Sequence, residues 1–179
     1  MAKKRVVKRY RRKGRWSANI KKLTTQSITA TGSSEFYAST DLCQNPVQNE
    51  SSVSQQYTVK NVELSFEFEL MEGQTNYSGI EGIVCYIMYV PQGMTVDNNY
   101  PNYHPEYIMA MRFLGSPNIE VQQVTQFTPG RNPLRIKTRL ARRLQTGDKI
   151  ILYINGTNTT TDSTTLNFNG LIRWWTKAN

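Results

Sequence analysis

The sequence predicts an all-β fold, an eight-stranded double-sheet antiparallel jelly roll with a disordered basic N-terminal arm. Three observations lead there. β-Branched and aromatic residues run in alternating stretches without a sustained 3.6-residue period, turn formers recur between those stretches, and the positive charge is crowded into the first 22 residues. At 179 residues the chain has the length of one domain. The division that follows is an arm at residues 1–22 and a jelly-roll domain at 23–179.

The arm reads MAKKRVVKRYRRKGRWSANIKK and holds eleven of the chain's 22 Lys and Arg with no acid, the first carboxylate being Glu35. The remaining residues then carry eleven basic against thirteen acidic side chains, so the net +9 belongs to the arm and the body is nearly neutral. So many like charges cannot condense into a core, and Val6, Val7, Tyr10 and Trp16 supply too little apolar surface to offset them. Lys3, Lys4, Arg5, Lys8, Arg9, Arg11, Arg12, Lys13, Arg15, Lys21 and Lys22 are suited to neutralising phosphates, and Tyr10 and Trp16 to stacking on unpaired bases. The same residue types also fit a nuclear localisation signal. No run of 18 apolar residues and no apolar segment after the Lys/Arg cluster occur, so neither a membrane span nor a secretory signal is expected.

In chain order, the first strand expected is Leu23 to Thr31. Tyr57 to Leu70 gives the clearest signal: Val62, Leu64, Phe66, Phe68 and Leu70 alternate with Asn61, Glu63, Ser65, Glu67 and Glu69, one face for the core and one for solvent. Gly82 to Val90 is apolar throughout until Pro91, as in a central strand covered on both faces. Tyr107 to Leu114 and Ile119 to Thr125 follow. Leu134 to Leu144 sets Leu134, Ile136 and Leu140 against Arg135, Lys137 and Arg139, and Thr-Gly-Asp at 146–148 is expected to turn it into an antiparallel pair with Lys149 to Asn155. Thr165 to Thr176 is the eighth, with Leu166, Phe168, Ile172 and Trp174 opposed to Asn167, Asn169, Arg173 and Trp175. Long loops are expected at Gly32 to Gln56, Pro91 to Glu106 and Gly156 to Thr164, the first two being candidates for surface or intersubunit contacts.

Catalytic chemistry finds little to work with. His104 is the single histidine, set in a turn-rich loop with no partner of the kind a general base needs. Cys43 and Cys85 are widely spaced and read as small apolar residues rather than a disulfide or a metal site. Glu63, Glu67 and Glu69 on one strand face are a solvated face before they are a glycosidase-like carboxylate pair. No phosphate-binding loop opens a helix. The sequons at Asn49, Asn76, Asn155 and Asn158 read as turn residues. No enzyme activity, cofactor or metal is therefore expected. A second basic group, Arg135, Lys137, Arg139, Arg142 and Arg143, is balanced between a nucleic-acid contact and pairing with the glutamate face or plain solvation.

The arm, the strand YTVKNVELSFEFEL, the segment PLRIKTRLARRLQTGDKIILYI and the terminal strand LNFNGLIRWWTKAN together resemble the capsid proteins of circovirus-like viruses with circular single-stranded DNA genomes. The resemblance implies a jelly roll assembled into a sixty-copy T=1 icosahedral shell, an arm facing inward on the DNA, and loops facing outward or joining subunits. It also implies nuclear import by host machinery, assembly in the host nucleus, a location in the virion and a host receptor. The chain is shorter than typical circovirus capsid proteins and its Arg run is less dense. Capsid proteins of small satellite RNA viruses share the layout of arm plus jelly roll, so DNA over RNA rests on the resemblance. A cellular nucleic-acid-binding β-barrel is the rival from another class, disfavoured because the outward strand positions are mostly Glu, Lys, Arg and Asn rather than aromatic.

Overall fold

A strand whose side chains alternate in polarity buries one face, and two sheets of such strands close over a shared core. The computed structural model describes residues 16–44, 56–70, 79–115 and 134–178. They form β1 (Ser17–Ala30), β2 (Ser34–Gln44), β3 (Tyr57–Leu70), β4 (Ile80–Val90), β5 (Ile108–Gly115), β6 (Leu134–Lys137), β7 (Arg142–Leu144), β8 (Lys149–Asn158) and β9 (Thr164–Ala178). A single helical turn, α1 (Tyr100–Tyr103), and a 3₁₀ turn at Pro105–Tyr107 lie between β4 and β5. Among the described residues no helix is long and apolar enough to cross a membrane.

Sheet I runs β1-β9-β3-β6, with β7 also on β3, and sheet II runs β2-β8-β4-β5; every pairing is antiparallel. β6 and β7 occupy one edge of β3, opposite Glu63–Phe66 and Tyr57–Val59, and act as a single interrupted strand. The interruption faces a bulge in β3 between Lys60 and Glu63, where Asn61 has φ 51°, and the Thr138 amide bridges it by donating to the Val62 carbonyl. With β6 and β7 taken as one, the chain changes sheet at every connection except β4 to β5, the double-sheet connectivity of a jelly roll.

The core lies between the sheets, with Val62, Leu64 and Phe66 of β3 facing Ile83, Cys85 and Ile87 of β4 within one buried cluster. β4 and β8 are interior strands, and β8 is buried on both faces from Ile150 to Ile154. Their outer side is covered by the segment between β4 and β5: Tyr100, Met94, Val96 and Tyr107 pack on Met88, Val90, Ile151 and Tyr153. The Tyr153 hydroxyl donates to the Asn98 carbonyl at 2.9 Å, which fixes that cover to the sheet.

Five expectations need correction. β1 begins at Ser17, so residues 17–22, Lys21 and Lys22 included, belong to the sheet and not to a disordered arm; their pairing with Leu171–Thr176 supplies the ladder that the charge pattern alone hides. Ser34–Gln44 is a strand and not loop, because Phe36 and Leu42 are buried at alternating positions with the small Ala38 and Thr40 between them. The segments Leu134–Leu144 and Lys149–Asn155 do not pair: β6 and β7 join β3, whereas β8 inserts between β2 and β4. Asp148 explains the crossing, since its buried carboxylate accepts from the Gln145 amide (2.8 Å), the Gln92 amide (3.0 Å) and the Tyr89 hydroxyl (2.7 Å), tying the turn to the end of β4. Gly147, at φ 85°, lies so close to the Gln92 side chain that a Cβ there would collide with it. Leu140 is 56 % exposed in the β6–β7 break, and Leu144 takes the buried place. Finally, β8 runs on to Asn158, so Asn155 and Asn158 are strand residues and the loop shortens to 159–163. The expected strand Ile119 to Thr125 lies outside the described residues.

Candidate nucleic-acid interface

Alternation along β1, β9, β3 and the β6–β7 strand puts every second side chain on the outer face of sheet I. Four rungs cross that face at the end where β1 begins. Lys177 lies beside Thr58 and then Arg143; Ala18 beside Trp175 and then Lys60; Ile20 beside Arg173, Glu63 and Lys137; Lys22 beside Leu171, Ser65 and Arg135. Seven cations therefore share these rungs with one carboxylate, Glu63, which pairs with Lys137 at 3.8 Å. The charge changes further along the sheet, where Glu67 stands opposite Asn169.

Two indoles sit among these cations. Trp16, immediately before β1 and 37 % exposed, has the Lys60 ammonium 3.9 Å from its ring centroid. Trp175, central on the face, has the Arg173 guanidinium 4.5 Å from its ring centroid. Both cations lie within cation–π range, and neither takes part in an ion pair among the described residues. The face thus combines two chemistries: charges for phosphate and flat apolar rings for bases.

The sequence-derived candidates divide as follows. Lys3, Lys4, Arg5, Lys8, Arg9, Tyr10, Arg11, Arg12, Lys13 and Arg15 lie outside the described residues. Lys22 lies on the outer face of sheet I opposite Leu171, and Trp16 meets Lys60 of the same face. Lys21 pairs with Ile172 on the opposite side of the strand. In the second basic group, Arg135, Lys137 and Arg143 join the face, and Arg139 is exposed in the β6–β7 break. Arg142 leaves it: its guanidinium donates to the Glu106 carbonyl at 2.7 Å and lies over the Tyr89 ring at 4.9 Å, securing the cover of sheet II. Lys60, Arg173, Trp175 and Lys177 are not among the binding residues expected from the sequence. The signal available for them was an aromatic at 175 on the polar side of an otherwise regular alternation.

The other groups with chemical potential are occupied structurally. His104 stacks on Tyr107 with ring centroids 5.2 Å apart and lies 3.3 Å from the Glu106 carboxylate. Both cysteines are free, and burial pushes each thiol up to about 12. Among the described residues no three His, Cys, Asp or Glu side chains cluster as metal ligands would.

No family model matches the chain, and no curated protein does. Among solved structures it is similar to a chain of maize chlorotic mottle virus, at 8 % identity and a TM-score of 0.40, over 90 % of this chain and 93 % of that one. It is also similar to the VP2 subviral particle of infectious bursal disease virus, at 13 % identity and a TM-score of 0.28, over 85 % of this chain and 32 % of that one. With both scores under 0.5, the functional assignment rests on strand connectivity and on the distribution of charge.

Proposed function

We propose that this protein is a viral capsid protein that closes into a small icosahedral shell, turns sheet I to the interior and packages single-stranded DNA through its basic N-terminal region. One observation carries the reading: a jelly roll with a nearly neutral body presents a dense cationic field on the outer face of sheet I, at the end where the basic N-terminal stretch enters. Charge on one wall gives a subunit an inside, and a near-neutral remainder lets many copies meet side by side without like-charge repulsion. The contrast with sheet II supports this, since Lys149 there is paired with Asp41 at 3.1 Å. The circovirus-like affiliation and the preference for DNA over RNA come from the sequence resemblance. A closed nucleic-acid-binding barrel fits less well, because the described strands form two separate sheets.

Electron microscopy of the purified protein tests the shell: uniform closed particles are expected, and a preparation of monomers or dimers under all assembly conditions refutes it. Nuclease digestion of the packaged material decides the genome. DNase-sensitive, RNase-resistant nucleic acid is expected, and the reverse pattern moves the protein to the RNA satellite class.

A further inference from the structure

We propose that the outer face of sheet I is itself a binding track for single-stranded nucleic acid, separate from the arm, on which unpaired bases stack against Trp16 and Trp175 while Lys60, Arg173, Lys177, Arg143, Arg135 and Lys22 take the phosphates. The inference deepens the packaging reading and rests on it. Its grounds are geometric. Both indoles belong to the same end of the same face, and the cations that cap them come from neighbouring positions: Lys60 is the register partner of Trp175 and also reaches Trp16. A ring covered by a protein cation at an exposed site holds it weakly, and a stacked base is the stronger occupant. Displacement of the ammonium and guanidinium then frees two charges at the point where the phosphates of the stacked nucleotides lie. Successive rungs on one face repeat about every 6.8 Å along a strand, a step comparable with one nucleotide of an extended single strand. A duplex has its bases inward and offers none to the indoles, so the track selects single strands. Ile20, 65 % exposed, and Leu171, 49 % exposed, extend the apolar floor between the cations.

The test uses the full-length chain, an oligothymidylate and inorganic polyphosphate as probes, and indole fluorescence with salt titrations as readouts. Oligothymidylate is expected to quench the indole signal, and polyphosphate to bind without comparable quenching. Trp16→Leu and Trp175→Leu are each expected to lower oligothymidylate affinity roughly 5- to 100-fold with the salt slope unchanged, as stacking releases no counterions. The double variant Lys60→Ala/Arg173→Ala is expected to flatten the log–log salt slope by about 1.4. It touches no core residue, so it decides the matter should an indole variant lose the far-ultraviolet spectrum of the parent. Equal quenching by polyphosphate, or unchanged affinity and slope in every face variant, overturns the track. If at the same time Arg9, Arg11, Arg12 and Lys13 changed together to Ala abolish binding, the arm alone packages and the capsid reading stands. If the unaltered chain ignores oligothymidylate altogether, both fall.

Discussion

Replacing Asp148 with Ala removes the anchor that sends the chain from sheet I to sheet II. The carboxylate is 4 % exposed and accepts three hydrogen bonds, from the Tyr89 hydroxyl at 2.7 Å and from the Gln92 and Gln145 amides at 3.0 and 2.8 Å. A hydrogen bond to a charged acceptor contributes about 1.5–3 kcal/mol, which sets an upper range near 9 kcal/mol for three independent bonds. They are not independent, and Gln92 and Gln145 are exposed residues whose amides regain water when the carboxylate goes. Taking the Tyr89 bond in full and a fraction of the other two gives about 3–4 kcal/mol. Urea denaturation followed by tryptophan fluorescence measures the difference, with Asp148→Asn as the isosteric control that keeps an acceptor and loses less. A loss below about 1 kcal/mol for Asp148→Ala would refute the argument, for it would mean that Gly147 and the turn alone direct the crossing.

Three further outcomes are expected. Phe66→Ala should cost about 3–5 kcal/mol, Phe68→Ala less because its ring is only partly buried, and Glu67→Ala little; thermal melts giving equal effects at all three would place the wrong face of β3 against the core. Stability should fall as pH rises past about 10, because burial raises the folded-state values of Tyr89, Tyr100 and Tyr153 while the unfolded phenols titrate at their ordinary value. Tyr100, pushed up to about 12, holds its contribution below pH 10 and loses it between there and its own value; denaturation series at pH 8 to 11.5, with Tyr100→Phe reducing the decline, check the sign. In the arm, Arg9, Arg11, Arg12 and Lys13 changed together to Ala should flatten the salt slope of single-strand binding by roughly three and yield shells poorer in nucleic acid, read by the 260/280 nm ratio.

What the sequence disclosed depended on how much of each signal was local. β3 matches its expected bounds because five apolar residues alternate with five polar ones, and β9 and β4 were nearly as plain. β2 was missed because Ala38 and Thr40 dilute the alternation between Phe36 and Leu42, and a small residue on the core face carries little hydrophobic signal. The pairing of β8 was misjudged for a different reason. Thr-Gly-Asp reads locally as a hairpin turn, whereas two of the three partners of Asp148, Gln92 and Tyr89, are 56 and 59 residues away in sequence. The outer face of sheet I was half legible. Its Lys22, Arg135, Lys137 and Arg143 were named as charges, but register alone brings Lys60, Trp175 and Arg173 beside them. The arm itself was the strongest compositional feature of the chain, and its charge says nothing about where the sheet begins.

The position of β9 has a bearing on how the protein is made. The last strand in sequence is the one that separates β1 from β3 in sheet I, with Ser17 opposite Thr176 and Val59 opposite the same residue. Sheet I therefore cannot be completed until β9 has been made, and the β1–β9 ladder closes across the largest sequence separations among the described strands. Folding should be slow and late, as high contact order dictates. During that interval β1 lacks its one sheet neighbour among the described strands. A chain cut short before β9 would lose the middle of a wall rather than its margin, leaving β1 and β3 with facing edges open to strands of other molecules.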